Sequence, residues 1–276
     1  MHNKKTISIV TPCFNEQDNV EIVSQQVKDV FKTMPQYNYE HIFIDNASTD
    51  NTVKILKQLA KKDENIKIIV NVKNFGHIRS PSYGLTQASG DAVILLVADL
   101  QDPVNMIPIF LKKWEDGAEI VVGQKPRNKE NFIMSSIRKS YYSLLMKIAE
   151  TDVIKNFTGF GLYNKSFIDL LKSIDDPYPY FRGLVSELGW KIERVSYVQP
   201  KRANGKSKNN FYTLFDMAML GFTSQAKVPL RIAIFLGMFM AVVCFVLSIF
   251  YLIMKLIYWD QFSLGVAPII ISLFFL

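Results

Sequence analysis

Short apolar stretches alternate with stretches of helical periodicity over the first 125 residues of the chain. The apolar and β-branched stretches predict strands at residues 6–11, 39–45, 66–70, 92–98 and 119–123. Apolar residues at helical spacing predict helices at 19–31 and 52–59, and Pro103 is expected to begin another, because a missing N–H is harmless in a first turn. This alternation predicts an α/β fold, with helices on both faces of a mostly parallel sheet.

The C-terminal fifth of the chain is far more apolar than the rest. Residues 232–254 run without a charge, and as a helix they would span about 35 Å, against a bilayer core of about 30 Å. Basic and aromatic residues, which anchor helices at membrane interfaces, flank this run. We predict a transmembrane helix at 232–254, the alternative being a buried core helix. A second apolar run from residue 262 predicts a membrane hairpin, and we expect its second helix to be truncated at Leu276.

Between these regions, residues 131–150 combine apolar positions at helical spacing with basic positions elsewhere on the helix. Such a helix either lies on a membrane surface or packs on the sheet, and both readings stay open. We therefore divide the chain into a domain at 1–226, which includes the 131–150 helix and a basic loop at 200–210, and a transmembrane region at 227–276.

The composition narrows the class of protein. Of the 276 residues, 49% are hydrophobic and 21% are charged, which excludes a disordered chain. The net charge of +7 favours an anionic partner but does not choose among nucleic acid, phosphate ligand and anionic lipid. The two cysteines, Cys13 and Cys244, are too few and too far apart for a disulfide framework or a cysteine zinc site.

Three polar clusters follow predicted strands, at residues 11–16, 45–50 and 99–102. Each alone could be a helix cap or a turn. Ligands of open parallel sheets, however, bind outside the carboxyl ends of the strands, so the three clusters are expected to converge on one crevice. Asp99 and Gln101 offer two oxygen ligands to a hard divalent ion, Mg²⁺ or Mn²⁺, that bridges a diphosphate. The sequence has neither a Walker-type loop nor a dinucleotide-binding glycine motif after the first strand.

The basic loop offers a second phosphate-binding element. Lys201, Arg202, Lys206 and Lys208 surround Gly205 just before the apolar region. Arginine binds phosphate in a bidentate manner and lysine acts as a point charge, so this loop could clamp a phosphate group. A solvated loop attracted to anionic lipid is the alternative, and the two readings are compatible.

Together these features resemble membrane-anchored polyprenyl-phosphate glycosyltransferases of the inverting A-type fold, among them dolichol-phosphate mannose synthases and bactoprenol-phosphate glucosyltransferases. The matching motifs occur in order along nearly the whole chain, at residues 12–16, 44–50, 74–77, 90–91, 99–103, 181–183, 202–208 and 229–231. The resemblance implies a nucleotide pocket lined by Pro12, Asn15 and Glu16, with Asp45 and Asn46 also binding substrate. It assigns the metal to Asp99 and Gln101, the acceptor side to Arg182, and closure over the diphosphate to Arg202, Ser207 and Lys208. Asp99, Arg202 and Lys208 would then be catalytic.

Three positions depart from the pattern of these relatives. Val97 and Asn46 stand where relatives often carry Asp, and Gly159 or a neighbour replaces an acidic residue proposed near the reacting centre. A hydroxyl acceptor needs a base to remove its proton, a contribution of about 10²–10⁴-fold. A phosphate acceptor is already anionic at neutral pH, so the missing carboxylate fits a lipid phosphate better than a sugar hydroxyl.

The resemblance therefore predicts a metal-dependent inverting transferase with a cytoplasmic domain on the inner membrane. It would move a sugar from a nucleotide donor, UDP-linked by analogy with the bactoprenol relatives and UDP-glucose for example, to polyprenyl phosphate. The expected partners are the nucleotide sugar, the lipid phosphate and the bilayer but not nucleic acid, while a homo-oligomer is left open. The alternatives are a transferase with a glycan or other lipid acceptor, and a scaffold that keeps the fold without turnover.

Overall fold

A computed structural model gives the architecture of the chain. It describes residues 4–125, 156–174, 178–200 and 228–259, and further positions at 140, 143, 154, 176, 215–216, 219–221 and 223. Seven strands are present: β1 (Thr6–Cys13), β2 (Asn38–Asp45), β3 (Ile66–Val70), β4 (Ala92–Leu95), β5 (Ile120–Gln124), β6 (Phe157–Asn164) and β7 (Ile192–Ser196). The helices are α1 (Val20–Lys32), α2 (Thr52–Lys62), α3 (Gly76–Thr86), α4 (Ile107–Glu115), α5 (Lys165–Ser173), α6 (Phe181–Glu187) and α7 (Val228–Ile257), with a 3₁₀ turn at Val104–Met106 before α4.

The strands form one sheet in the order β3-β2-β1-β4-β6-β5-β7. β1 pairs in parallel with β2 and β4, and β2 pairs in parallel with β3. β6 runs antiparallel between β4 and β5, and β7 is parallel to β5. The carboxyl ends of β1, β2 and β4 therefore meet at one edge of the sheet, where the sequence places its polar clusters.

Apolar side chains cover both faces of this sheet, because successive strand residues point to opposite sides. Ile9 shares an apolar cluster with Val23 of α1 and Phe110 of α4. Its neighbour Val10 belongs to a second apolar cluster, with Leu85 of α3 and Phe167 of α5, on the opposite face. The predicted α/β fold with helices on both faces is thus confirmed.

The predicted strands and helices of the first 125 residues all occur, with the run at 92–98 shortened to β4 and the helix after Pro103 preceded by a 3₁₀ turn. Two elements go beyond the sequence prediction. Helix α3 contains Pro81 and two glycines, which weaken the helical pattern. Strand β6 lies in the middle of the sheet and also contains two glycines. At Gly161 a Cβ would lie 2.5 Å from the Val121 carbonyl oxygen, so the close approach of β5 requires glycine there.

Helix α7 is longer than the predicted 232–254. Within it, Leu230–Ile257 has a mean hydropathy of 2.8 over its best window and is mostly exposed. Among the described residues it is the one helix that length and composition would allow to cross a membrane. The predicted second membrane helix and nearly all of the predicted amphipathic helix at 131–150 fall outside the described residues.

A buried histidine makes the stability of this sheet sensitive to acid. His41 lies in β2 with its Nε2 atom 2.9 Å from Thr11 Oγ1, and burial lowers its pKa to about 3. Between that value and the usual pKa of about 6.5 the unfolded chain binds a proton that the folded chain does not, so stability falls as the pH falls. We expect a loss of about 2 kcal/mol from this residue between pH 6.5 and pH 5.

The measurement is urea unfolding of the full chain in detergent, followed by tryptophan fluorescence at both pH values. The matched variant is His41→Gln, which keeps a polar group near Thr11 but cannot be protonated in this range. The wild-type chain should lose more stability than the variant. Equal losses in the two proteins would show that His41 does not carry the effect.

Candidate active site

A cavity of about 370 Å³ opens at the carboxyl edge of the sheet. It lies where β1 and β4 end and where α3, β6 and α6 approach them. Its polar and charged lining comes from His77, Ser82, Asp99, Gln101, Asp102, Lys125, Thr158, Tyr180, Arg182 and Gln199. Pro12, Asp99, Gln101 and Arg182 were predicted from the sequence, and the structure brings all four to this one cavity.

The loop after β4 carries the predicted metal ligands. Asp99 and Gln101 both line the cavity, and Asp99 Oδ1 accepts the Gln101 backbone N–H at 3.1 Å. A carboxylate and an amide oxygen are suitable ligands for Mg²⁺ or Mn²⁺, so these donors fit such an ion. Val97 lines the cavity without offering a ligand atom. No group of three or more His, Cys, Asp or Glu residues suited to a metal occurs in the described part of the chain. An ion of this kind commonly completes its coordination with water and with phosphate oxygens of a substrate.

Three loops at this edge turn through a left-handed residue. Asn15 has a φ of 52°, Ala47 of 63° and Leu100 of 60°. Asparagine tolerates this conformation, whereas in alanine and leucine it raises the conformational free energy by about 1–2 kcal/mol. Such strain persists only where the surrounding contacts fix the backbone, and it is common at functional sites. Leu100 is the most informative of the three, because it lies between Asp99 and Gln101.

The sequence analysis gave no role to Asp102, which is 4% exposed yet lines the cavity. Its Oδ1 accepts the Tyr197 hydroxyl at 3.0 Å. Burial, together with the nearby Asp99, raises the pKa of Asp102 to about 6, despite the hydrogen bond from Tyr197. The only sequence signal for this residue was its position in the 99–102 cluster. Tyr197, the hydrogen-bond partner of Asp102, lies 95 residues away along the chain, so the sequence alone does not reveal the pair.

Arg182 supplies positive charge to the cavity from the first turn of α6. His77 lines the same cavity from the first turn of α3. Burial and the Arg182 charge lower the pKa of His77, so the imidazole is neutral at pH 7. The cavity thus combines carboxylate and amide oxygens with a permanent cation.

The loops after β1 and β2 are joined to each other by hydrogen bonds. The Asn15 backbone N–H donates to Ser48 Oγ at 2.8 Å, and Asn15 Oδ1 accepts the Thr49 backbone N–H at 2.7 Å. Ser48 in turn donates its hydroxyl and its N–H to the buried Asp45 carboxylate. Asp45 therefore shapes the loop, and its predicted contact with a nucleoside stays a prediction.

Glu16 and Asn46 also make contacts within the protein. Glu16 accepts the Asn19 side-chain amide at 2.6 Å. Asn46 donates to Asn74 Oδ1 at 2.8 Å and accepts the Phe75 backbone N–H at 2.8 Å. Asn46 thus ties the loop after β2 to the start of α3. The substrate-binding roles predicted for these two residues stay predictions.

Gly159 lies in β6 next to Thr158, which lines the cavity. Its φ of +102° favours glycine, and a Cβ there would lie 3.1 Å from Leu95 Cδ2. Backbone conformation and the contact with Leu95 therefore account for a glycine at this position. The predicted clamp residues Arg202, Ser207 and Lys208 fall outside the described residues.

Both the family model and the relatives that match this chain are described as glycosyltransferases. The model of "Glycosyl transferase family 2" matches residues 8–171. A bactoprenol glucosyl transferase of Shigella phage SfV is 30% identical over 271 residues, covering 98% of this chain and 88% of the relative. A putative glycosyltransferase of Bacillus subtilis, CsbB, is 32% identical over 247 residues, covering 90% of this chain and 74% of the relative.

Among solved structures, the fold is similar to that of glucosyl-3-phosphoglycerate synthase from Mycobacterium tuberculosis in complex with Mn²⁺, UDP and phosphoglyceric acid. The TM-score is 0.54 at 20% identity, over 78% of this chain and 75% of the synthase. This likeness confirms the A-type fold. With a family model that matches more than half of its residues and relatives that match nearly its full length, the chain belongs to glycosyl transferase family 2.

Proposed function

We propose that this protein transfers glucose from UDP-glucose to polyprenyl phosphate, with inversion at the anomeric carbon. The family and the near full-length similarity to bactoprenol glucosyl transferases support the acceptor class and the sugar. One structural observation carries the proposal: a single cavity combines the oxygens of Asp99 and Gln101 with the cation of Arg182. These groups suit two phosphate-bearing substrates, the donor diphosphate and the acceptor monophosphate.

Each side chain has a proposed task. Asp99 and Gln101 hold Mg²⁺ or Mn²⁺, which when bound supplies the positive charge that neutralises the leaving nucleoside diphosphate. Arg182 binds the acceptor phosphate. The nucleotide contacts are assigned to Pro12, Asn15, Glu16, Asp45 and Asn46, and the closing contacts on the diphosphate to Arg202, Ser207 and Lys208.

The reaction needs no base at position 159. A phosphate oxygen of the lipid forms a bond with the anomeric carbon from the face opposite the leaving group. The bond between that carbon and the diphosphate oxygen breaks, and UDP leaves with the electron pair. The attacking phosphate is already anionic at neutral pH, so this reaction does not depend on a carboxylate at position 159.

The same proposal places the catalytic domain on the cytoplasmic face of the inner membrane. Helix α7 serves as the first membrane span, and the apolar run from residue 262 as the second. Arg231 near the amino-terminal end of α7 agrees with a cytoplasmic domain on that side. The amphipathic helix predicted from the sequence at 131–150 is assigned to the lipid headgroups, and packing on the sheet is the alternative.

The proposal predicts a metal-dependent glycolipid product. The full chain in membranes is incubated with polyprenyl phosphate and labelled UDP-glucose, UDP-galactose or GDP-mannose, with Mn²⁺, Mg²⁺ or EDTA. Label should enter the organic phase from UDP-glucose alone, disappear with EDTA and be released by mild acid. Label from another donor would correct the sugar. UDP binding without any lipid product would favour another acceptor or a scaffold.

A further inference from the structure

We propose that Tyr197 is a positioning residue that holds the metal-binding loop, residues 97–102, in its ligating shape through Asp102. The inference rests on the proposed metal site at Asp99 and Gln101 but not on the identity of the sugar or the acceptor. Tyr197 is 4% exposed and does not line the cavity. Any effect on the metal must therefore pass through the residues that it contacts.

A buried hydrogen bond connects Tyr197 to the metal-binding loop. The Tyr197 hydroxyl donates to Asp102 Oδ1 at 3.0 Å and also interacts with the Thr158 side chain. The Val97 backbone lies close enough to the Asp102 carboxylate to stabilise its charged form. The last residue of the loop, Asp102, therefore lies near the first, Val97. Tyr197 holds Asp102 in this position, next to the strand that carries Thr158.

The aromatic ring of Tyr197 has little freedom to move. It packs edge-on against Phe160 with ring centroids 5.2 Å apart, and Phe160 packs against Phe110 of α4 at 5.0 Å. Gly123 of β5 leaves room for both rings, since a Cβ there would lie 2.7 Å from Phe160 Cδ1 and 3.1 Å from Tyr197 Cε1. The hydroxyl is therefore held at a fixed point against Asp102 by the core of the domain.

The metal-binding loop needs such support because its backbone is strained. Leu100, between the two proposed ligands, has a φ of 60°. A strained residue keeps its conformation only while its surroundings enforce it. Without the Tyr197 hydroxyl, the buried Asp102 carboxylate loses a hydrogen-bond donor, which favours its movement toward water. The loop would then relax, and Asp99 and Gln101 would no longer be held for the same ion.

The test compares two tyrosines that make the same kind of bond. Tyr197→Phe removes only the hydroxyl that Asp102 accepts. Tyr37→Phe is the matched control. Tyr37 lies just before the amino end of β2, is also buried, and donates its hydroxyl to the carboxylate of Glu115. Mn²⁺ affinity is measured by calorimetry on the full chain in detergent with saturating UDP, and thermal unfolding is recorded for each protein.

We expect Tyr197→Phe to weaken Mn²⁺ binding about tenfold, in the range seen when supporting partners of metal ligands are removed. Tyr37→Phe should leave Mn²⁺ binding unchanged, although both variants lower the unfolding temperature. Asp102→Leu, which cannot accept the Tyr197 hydroxyl, should also weaken binding, and the double variant should be no weaker than the weaker single variant, because the two residues act as a unit.

Wild-type Mn²⁺ affinity in Tyr197→Phe would overturn the inference, and so would equal losses in the two tyrosine variants or additive losses in the double variant. If Tyr197→Phe proves too unstable to purify, Asp102→Asn is compared with Asp102→Leu, which loses the same charge but cannot accept the Tyr197 hydroxyl, and equal Mn²⁺ affinities in these two variants would overturn the inference. A wild-type chain that binds no Mn²⁺ with UDP would overturn both the inference and the metal site. A chain that binds Mn²⁺ and UDP but glucosylates no lipid would reject the proposed function alone.

Discussion

Replacing Asp99 with alanine is expected to lower kcat/KM for sugar transfer by about 10³-fold or more, about 4 kcal/mol of transition-state stabilisation. Asp99 is the only carboxylate of the two proposed metal ligands, and Gln101 alone offers a single neutral oxygen. The expected loss is therefore in the neutralisation of the leaving diphosphate. Transfer of label to the organic phase, measured over a range of Mn²⁺ concentrations, gives the size of the effect.

The matched control for Asp99→Ala is a substitution at the amino-terminal end of β4, the strand that Asp99 follows. Asp91 precedes β4, is exposed, and accepts the Thr6 backbone N–H at 2.8 Å. Asp91→Ala should lose some stability but retain transfer activity close to that of the wild-type chain. An Asp99→Ala protein that keeps activity within tenfold of the wild type, or activity that survives EDTA, would contradict the assigned role.

The second large effect is expected at Arg182. Removing its guanidinium should lower kcat/KM for the lipid phosphate by about 10²–10³-fold, because a bidentate contact with phosphate contains two hydrogen bonds between charged groups, of about 1.5–3 kcal/mol each. KM for the nucleotide sugar should change little, because Arg182 is assigned to the acceptor. Arg182→Lys should recover only part of the activity, since lysine cannot bind phosphate in a bidentate manner.

Arg194→Ala provides the comparison for this prediction. Arg194 is exposed on β7 and carries the same charge outside the cavity lining. Initial rates with varied polyprenyl phosphate at fixed UDP-glucose separate the two substrates. A rise in KM for the donor with no change for the acceptor would reassign Arg182 to the diphosphate.

Secondary structure and site residues were predicted correctly from the sequence where a single physical signal, such as hydrophobic periodicity, was strong. Continuous apolar runs bounded by turns located β1 to β5, and helical periodicity located α1 and α2. The polar clusters at strand ends led to Asp99 and Gln101, because the carboxyl ends of parallel strands share an edge. These features depend on neighbouring residues and on one topological rule, so a single sequence reveals them.

The features that the sequence did not predict depend on distant contacts or on glycine and proline. Pro81 weakens the pattern of α3, and Gly161 in β6 is explained only by the approach of the Val121 carbonyl. The pairing of Asp102 with Tyr197 joins residues 95 positions apart. The three-dimensional structure was needed to show that the polar cluster at 99–102 is supported by Tyr197, the residue that follows β7.

The place of β6 also sets an order for folding during synthesis. β1 to β4 can pair as soon as Leu95 is made, but the open edge of β4 can be covered only when β6 is complete at Asn164. Until then the apolar segment Ala92–Leu95 is an unpaired edge, the kind of surface that favours aggregation. β5 is made earlier than β6 yet cannot join β4 directly, since β6 separates them in the sheet. The nascent domain is therefore most vulnerable while residues 96–164 are still emerging from the ribosome.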